Sequence, residues 1–160
     1  MKKTAIYPGT FDPVTFGHID IIERASALFY KVIIGVSKNT VKDTLFSIDE
    51  RIEMVDRATS NFPNVSVDSF EGLLVDFAAM KKAGVIVRGL RAISDFEYEF
   101  QMALTNRKME ESITTVFLMP HEKYTYLNST LVRELARHGA KLSSFVPKYV
   151  EMKLGEKFKN

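Results

Sequence analysis

Residues 7–18 read Tyr-Pro-Gly-Thr-Phe-Asp-Pro-Val-Thr-Phe-Gly-His and connect a short apolar segment to an amphipathic one. We interpret residues 5–7 as the end of a buried strand, which Pro8 and Gly9 stop. From Gly17 onward apolar residues recur at helical spacing, at Ile19, Ile22 and Phe29. This stretch therefore predicts a strand, a loop and a helix in direct succession.

The loop between this strand and this helix suits phosphate binding. The first N–H groups of a helix have no partner within it, and the helix dipole is positive at that end. Gly9 and Gly17 allow the backbone to approach a ligand closely, and His18 can donate an imidazole N–H to a phosphate oxygen. The alternative is that Gly9 and Pro13 only shape a turn and that His18 is an ordinary first-turn residue. The phosphate interpretation indicates an enzyme that handles nucleotides.

The complete string favours the phosphate interpretation. Residues 15–18, Thr-Phe-Gly-His, resemble the Thr/His-x-Gly-His signature of the nucleotidyltransferase superfamily, and Gly-Thr-Phe-Asp-Pro precedes them at residues 9–13. A single Gly-His pair would carry much less information than this combination.

Composition and charge restrict the class of protein. The 160 residues, 46% of them apolar, predict a single domain over residues 1–160. The chain has no cysteine, which excludes disulfides and thiolate chemistry and favours a cytoplasmic protein. The net charge of +2 is scattered along the chain, so we expect no nucleic-acid partner. No apolar stretch is long enough to span a membrane, and Pro8, Gly9 and Asp12 interrupt the first apolar run too early for a secretory signal.

Strands and helices alternate along the rest of the chain. Further strands are predicted at 32–36, 65–67, 85–87 and 114–119. Helices are predicted between and after them: from the capping box of Ser47 and Glu50, over residues 73–82, from the capping box of Ser94 and Glu97, after Asn128 or Ser129, and after Pro147. This order predicts an α/β fold, a doubly wound Rossmann-like parallel sheet with helices on both faces and ligands at the carboxyl ends of the strands.

The predicted helix from Ser94 carries apolar side chains at helical spacing, namely Phe96, Phe100, Ala103 and Leu104. We expect them to form the apolar face of this helix.

Three clusters of polar residues follow predicted strands. Lys42 lies in the loop of residues 37–42, where lysines are either anion ligands or solvated surface. Arg88-Gly89-Leu90-Arg91 places two guanidinium groups after an apolar strand, where they either bind an anion or pair with Asp95 or Glu97. Residues 124–130, Tyr-Thr-Tyr-Leu-Asn-Ser-Thr, offer aromatic faces and helix N–H groups to a nucleotide, or only cap a helix. Thr10, Lys42, Arg88 and Tyr124 all follow a predicted strand, and we expect them to meet in one crevice.

Glu99 lies on the helix after Arg91, where its carboxylate can bind a ligand, hold an arginine or face solvent. The three histidines, His18, His121 and His138, fall in separate segments, so we expect no metal site built from protein ligands. Magnesium held through substrate phosphates would leave no such signature. There is also no Walker loop and no Gly-x-Ser-x-Gly motif.

Four motifs occur in a characteristic order: residues 9–18, Lys42, Arg88 to Arg91 followed by Asp-Phe-Glu-Tyr-Glu at 95–99, and residues 124–130. Together they resemble the bacterial phosphopantetheine adenylyltransferase family over essentially the whole chain. The sequence departs from the family pattern at Asn128, where serine is frequent, and has Tyr124 where the aromatic residue varies.

The resemblance implies that the adenylyl group of ATP is transferred to 4′-phosphopantetheine, giving dephospho-coenzyme A and pyrophosphate in the penultimate step of coenzyme A synthesis. It implies contacts with phosphopantetheine from Thr10, Lys42, Leu74 and Arg88. It implies contacts with ATP from a larger set: Thr10, Phe11, His18, Gly89, Leu90, Arg91, Glu99, Tyr124, Thr125, Tyr126, Leu127, Asn128, Ser129 and Thr130. Thr10, His18, Lys42 and Arg91 are the expected catalytic residues.

The resemblance further implies Mg²⁺ as cofactor, a homohexamer and feedback inhibition by coenzyme A. Two other functions stay open on the residues alone. One is a related nucleotidyltransferase that acts on nicotinamide mononucleotide or transfers a cytidylyl group. The motif at residues 88–99 argues against this alternative. The other is a binding module without turnover. Such a module would be expected to lose His18, Lys42 or Arg91, and all three are present.

Overall fold

A computed structural model describes residues 3–38 and 43–159, apart from the side chains of Ile93 and Ser94. It contains five strands, β1 (Thr4–Gly9), β2 (Lys31–Ser37), β3 (Val65–Phe70), β4 (Val85–Gly89) and β5 (Thr114–Leu118). The helices are α1 (Phe16–Leu28), α2 (Ile48–Thr59), α3 (Leu74–Met80), α4 (Ile93–Met109), α5 (Ser129–Arg137) and α6 (Lys148–Phe158). Strands and helices alternate as the sequence predicts.

The strands form one parallel sheet in the order β3-β2-β1-β4-β5. The chain first builds outward from β1 and then returns to its other side, so the direction of winding reverses between β1 and β4. This arrangement confirms the predicted doubly wound fold, and ligands of such sheets bind at the reversal point.

Strand β1 has two unequal partners. It pairs with β2 from Thr4 to Gly9 but with β4 only at Ala5 and Ile6. The prediction that Pro8 and Gly9 stop the strand is therefore wrong, since both are paired with β2. Pro8 has no N–H, and it lies in the part of β1 that has only one neighbouring strand. Beyond Ile6 a crevice opens between β1 and β4.

Alternate residues of the strands are buried on opposite faces of the sheet, as the two-residue period requires. On one face, Ala5, Val32 and Val85 belong to a core that α1, α2, α5 and α6 cover. On the other face, Ile6, Ile33 and Ile86 pack with apolar residues of α3: Val75, Phe77 and Ala78. Helices thus cover both faces, which explains the continuous apolar runs in the central strands.

The helix boundaries follow local hydrogen bonding. Ser47 caps α2 in the predicted capping box, with the Ser47 N–H donating to Glu50 over 2.8 Å and the Glu50 N–H donating to the Ser47 hydroxyl over 3.2 Å. The second predicted capping box is wrong, because α4 begins at Ile93 and places Ala92, not Ser94, at the N-cap. Alanine has no side-chain acceptor for the helix N–H groups.

The predicted apolar face of α4 lies largely on the surface of the protein. Phe96, Phe100 and Leu104 are 43%, 47% and 47% exposed, and the rings of Phe96 and Phe100 stack with centroids 5.5 Å apart. Among the side chains of α4 that the structure describes, those of Glu99 and Asn106 are the buried ones. Glu99 is turned toward β4, where its carboxylate accepts hydrogen bonds from Arg88. Separately, no helix in the described part of the chain is long and apolar enough to cross a membrane.

Candidate active site

The crevice between β1 and β4 widens into a cleft of about 670 Å³ at the carboxyl ends of the strands. Its walls come from the ends of the strands, from the first turns of α1 and α5, and from α4. A volume of this size lies within the range of about 300–1,000 Å³ that is usual for small-molecule sites.

Most of the predicted site residues line this cleft: Thr10, Phe11, His18, Leu74, Arg88, Gly89, Arg91, Glu99, Tyr124, Leu127, Asn128 and Ser129. The predicted convergence of Thr10, Arg88 and Tyr124 is therefore observed. Leu90, Thr125, Tyr126 and Thr130 lie in the same segments but are not part of the wall, and Tyr126 is 59% exposed. Lys42 lies outside the described residues.

His18 closes a capping box at the start of α1. Its Nδ1 accepts the backbone N–H of Thr15 over 3.0 Å, while the Thr15 hydroxyl accepts the N–H of His18 over 3.4 Å. A backbone N–H can only donate, so Nδ1 must be unprotonated and the ring proton must be on Nε2. The capping box thus selects the tautomer that leaves Nε2 as a hydrogen-bond donor.

The surroundings of His18 keep the imidazole neutral. Burial and, to a smaller extent, the positive charge of Arg91 together lower the pKa of His18 to about 4. The ring of Phe11 stands edge-on to the imidazole with centroids 5.0 Å apart. At neutral pH, His18 is therefore an uncharged N–H donor at the cleft.

Phe11 determines the shape of the loop before α1. It has a positive φ of 51°, its side chain is only 2% exposed, and its ring also contacts that of Tyr7 with centroids 5.6 Å apart. A Cβ at Gly9 would lie 2.9 Å from this ring. Gly9 is thus required by the inward packing of Phe11, in addition to any close approach by a ligand.

Arg88 and Glu99 form a bidentate pair beside the cleft. The guanidinium donates from Nε and Nη2 to the two carboxylate oxygens over 2.8 and 2.5 Å. Burial disfavours the charged form of Arg88, but the hydrogen bonds and charge of Glu99 outweigh this and raise its pKa above the ordinary value. Of the possibilities for Glu99, the structure shows the one in which it holds an arginine. The partner of Arg88 is therefore neither Asp95 nor Glu97.

Arg91 joins the loop after β4 to the segment before α5. It donates to the carbonyl oxygen of Leu127 over 3.1 Å, and its side chain lies 3.6 Å from the carboxylate of Asp95. The predicted alternative of a pair with Asp95 is thus observed, but as a long contact between half-exposed side chains.

The first turn of α5 also faces the cleft. Asn128 is the N-cap and accepts the N–H of Leu131 over 2.8 Å, and the Ser129 hydroxyl donates to the carbonyl of Pro13 over 2.7 Å. Asn128 therefore caps the helix as serine would. The N-terminal ends of α1 and α5 both contribute to the wall of one cleft, so two helix dipoles favour negative charge there.

Sequence reasoning missed several wall residues, including Ile21, Phe70, Tyr98 and Pro120. Their residue types are common in cores and loops and carry no signal of a site. The role of Thr15 could have been found, because Thr15 and His18 have the three-residue spacing of a capping box, although histidine is unusual at the second position.

The described residues include no group of three or more His, Cys, Asp or Glu side chains able to hold a metal ion. Asp95 and Glu99 are the acidic residues in the described wall, and each lies beside an arginine. The described wall of the cleft is therefore suited to anions.

The fold and this anion-binding cleft agree with the sequence comparisons. The family model described as cytidylyltransferase-like matches residues 6–135. A solved structure from Vibrio parahaemolyticus, provisionally named a nicotinate-nucleotide adenylyltransferase, has a TM-score of 0.73 and covers 99% of this chain and 95% of its own, at 23% identity. The protein is thus a nucleotidyltransferase enzyme.

Two curated relatives narrow the class. A phosphopantetheine adenylyltransferase from Caldanaerobacter subterraneus subsp. tengcongensis is 56% identical over 157 residues, which are 98% of each chain. One from Carboxydothermus hydrogenoformans is 51% identical over 156 residues, which are 98% of this chain and 96% of its own. The chain belongs to the phosphopantetheine adenylyltransferase family.

Proposed function

We propose that this enzyme transfers the adenylyl group of ATP reversibly to 4′-phosphopantetheine, giving dephospho-coenzyme A and pyrophosphate in the penultimate step of coenzyme A synthesis. Residues 1–160 would act as a single domain in this reaction. The observation that carries the proposal is the cleft, in which two helix N-termini, neutral His18, Arg88 and Arg91 meet at the reversal point of the sheet. The choice of phosphopantetheine as the acceptor is supported by the names of the curated relatives.

The two substrates occupy different parts of the cleft in this proposal. Phosphopantetheine is bound by Thr10, Lys42, Leu74 and Arg88, with Glu99 fixing the guanidinium plane of Arg88. ATP is bound by the wall that comprises the first turns of α1 and α5, the loop after β4 and the segment before α5. Its predicted ligands are Thr10, Phe11, His18, Gly89, Leu90, Arg91, Glu99 and residues 124–130.

The reaction needs no covalent intermediate. A phosphate monoester has its second pKa near 6, so the acceptor is already an ionised nucleophile at neutral pH. Its oxygen attacks the α-phosphorus of ATP in line, the new P–O bond forms, and the bond to pyrophosphate breaks. Holding both anions in one crevice can lower the barrier by about 7–11 kcal/mol. We assign His18 Nε2–H, Lys42, Arg91 and Thr10 to the stabilisation of charge during transfer.

Mg²⁺ fits this site as an ion carried by the phosphates of ATP. The acidic residues in the described wall lie beside arginines, and magnesium commonly binds through substrate phosphates and water. When bound, the ion would neutralise part of the charge on the triphosphate.

A homo-oligomer, expected to be a hexamer, and feedback inhibition by coenzyme A belong to the same proposal. The exposed apolar side chains on α4, among them Phe96, Phe100 and Leu104, support an assembly that covers them. Light scattering coupled to size exclusion would test the hexamer, and inhibition of the forward reaction by coenzyme A would test the feedback.

The deciding experiment is pyrophosphate release from ATP and Mg²⁺ with phosphopantetheine, with nicotinamide mononucleotide and with no acceptor. A parallel assay with CTP in place of ATP tests the cytidylyltransferase alternative. Release that requires both ATP and phosphopantetheine supports the proposal. Release with another acceptor or nucleotide would assign a different nucleotidyltransferase activity to the same cleft.

A further inference from the structure

Arg51 is a buried arginine that the proposed reaction does not use. It lies on α2, its side chain is 2% exposed, and it is not part of the cleft wall. Burying a guanidinium is unfavourable unless its donors are satisfied, so its hydrogen-bond partners show what it does for the structure.

The Arg51 guanidinium donates to three backbone carbonyls from separate segments. Nη1 donates to the carbonyl of Thr10 over 2.8 Å and to that of Ser37 over 2.9 Å, and Nε donates to that of Phe46 over 3.3 Å. Thr10 and Ser37 line the cleft, after β1 and at the end of β2 respectively. One side chain therefore fixes the ends of two adjacent strands from behind the cleft.

Asp12 reinforces the same arrangement. Its buried carboxylate accepts the N–H groups of Leu45 and Phe46, each over 2.9 Å. Burial lowers the pKa of Arg51, and the negative charge of Asp12 opposes that shift. The loop after β1 and the residues before α2 are thus joined by two buried groups of opposite charge that hold backbone atoms.

We propose that Arg51 is a positioning residue for acceptor binding: it holds Thr10, an assigned ligand of the acceptor phosphate, in place against the end of β2. This inference rests on the proposed function, because it uses the assignment of Thr10 to phosphopantetheine. The hydrogen bonds of Arg51 described above go to the β1 and β2 side. Apart from Thr10, Phe11 and His18, the predicted ATP ligands lie at the end of β4 and in the loop after it, on α4 and in residues 124–130, so we expect a change at Arg51 to act on the acceptor more than on ATP.

The test compares Arg51→Met with Arg51→Lys. Methionine retains apolar bulk but no donor, whereas lysine retains the charge without the planar fork that reaches several carbonyls. For Arg51→Met we expect the KM for phosphopantetheine to rise about 10-fold to 100-fold, with a fall in kcat, because a small misplacement of a bound group can cost about 100-fold in rate. The KM for ATP should change by less than about threefold. Arg51→Lys should show the same pattern at smaller size.

Thr59→Ala is the matched control for stability. Thr59 is buried at the end of the same helix, and its hydroxyl donates to the carbonyl of Val55 over 2.8 Å. Thr59 is not part of the cleft wall. Its loss should lower the melting temperature while leaving both KM values unchanged. All variants are assayed well below their melting temperatures, and Arg51→Lys decides if Arg51→Met does not fold.

The outcomes separate this inference from the proposed function. A native enzyme that does not use phosphopantetheine refutes the proposed function and with it this role. If the native enzyme uses phosphopantetheine, equal changes in both KM values, or a pattern like that of Thr59→Ala, would show that Arg51 only stabilises the fold. A selective rise in the KM for phosphopantetheine supports the positioning role.

Discussion

The backbone N–H of Thr15 points at Nδ1 of His18 over 3.0 Å, and this contact dictates which ring nitrogen carries the proton. The same side chain therefore satisfies a backbone N–H at the start of α1 and presents Nε2–H to the cleft. The capping contact and the hydrogen-bond donor can be separated by substitution, because they belong to different ring nitrogens.

Replacing His18 should affect turnover far more than folding. His18→Ala removes the donor, and we expect kcat to fall about 100-fold to 1,000-fold, as for other donors aimed at a developing charge. It also removes the capping contact, which costs about 1 kcal/mol of stability. His18→Gln is the matched variant, since glutamine suits this position of a capping box. Steady-state kinetics beside urea unfolding measure both effects. Unchanged turnover in folded His18→Ala would refute the assigned role.

The protonation of His18 should be visible in solution. Its pKa of about 4 lies below the ordinary 6.5, so between these values the unfolded chain binds a proton that the folded chain does not. The contribution of His18 to the free energy of unfolding is therefore complete above pH 6.5 and decreases as the pH falls toward 4. NMR titration of the imidazole measures the pKa directly. Urea unfolding at several pH values should give a steeper pH dependence for the native chain than for His18→Gln.

Gly17→Ala should weaken ATP binding while leaving the stability of the fold equal or higher. A Cβ at Gly17 would meet no atom closer than the Thr15 hydroxyl oxygen at 3.5 Å, so the fold can accept it. Alanine favours a helix over glycine by about 0.5–1 kcal/mol, and the melting temperature should stay equal or rise. The methyl group would occupy space at the cleft wall, so we expect the KM for ATP to increase about 10-fold.

Gly155→Ala on α6 is the control for this variant, because a Cβ there meets nothing within 4 Å. It should show a comparable gain in stability with unchanged kinetics. An unaltered KM for ATP in Gly17→Ala would mean that the ligand does not approach this turn.

The Arg88–Glu99 pair should matter more than the contact of Arg91 with Asp95. Glu99→Gln removes the negative charge and one acceptor beside a largely buried guanidinium, and we expect a loss of about 1–3 kcal/mol in the free energy of unfolding. The KM for phosphopantetheine should also rise because Arg88 loses its fixed orientation. Asp95→Asn, at a half-exposed 3.6 Å contact, should cost less than about 1 kcal/mol. Similar losses in the two variants would contradict this ranking.

The central strands and the order of elements could be predicted because runs such as Val32 to Val36 are buried on both faces of a parallel sheet. Predictions from local sequence were wrong where contacts between distant segments determine the structure. Pro8 remains in β1 because pairing with β2 alone is enough to keep it in the sheet. Glu99 on α4 faces inward because its carboxylate binds the guanidinium of Arg88. Arg51 could not be recognised, since its partners are backbone carbonyls from distant segments.

The brief pairing of β1 with β4 divides the sheet into a three-stranded half and a two-stranded half that meet along a seam at Ala5 and Ile6. Thr10 belongs to the first half, whereas Arg88 and Arg91 belong to the second. A small rotation of one half against the other would change the separation between groups across the cleft while leaving each half internally intact. The angle between the two sub-sheets therefore sets the distance between Thr10 and the two arginines across the cleft.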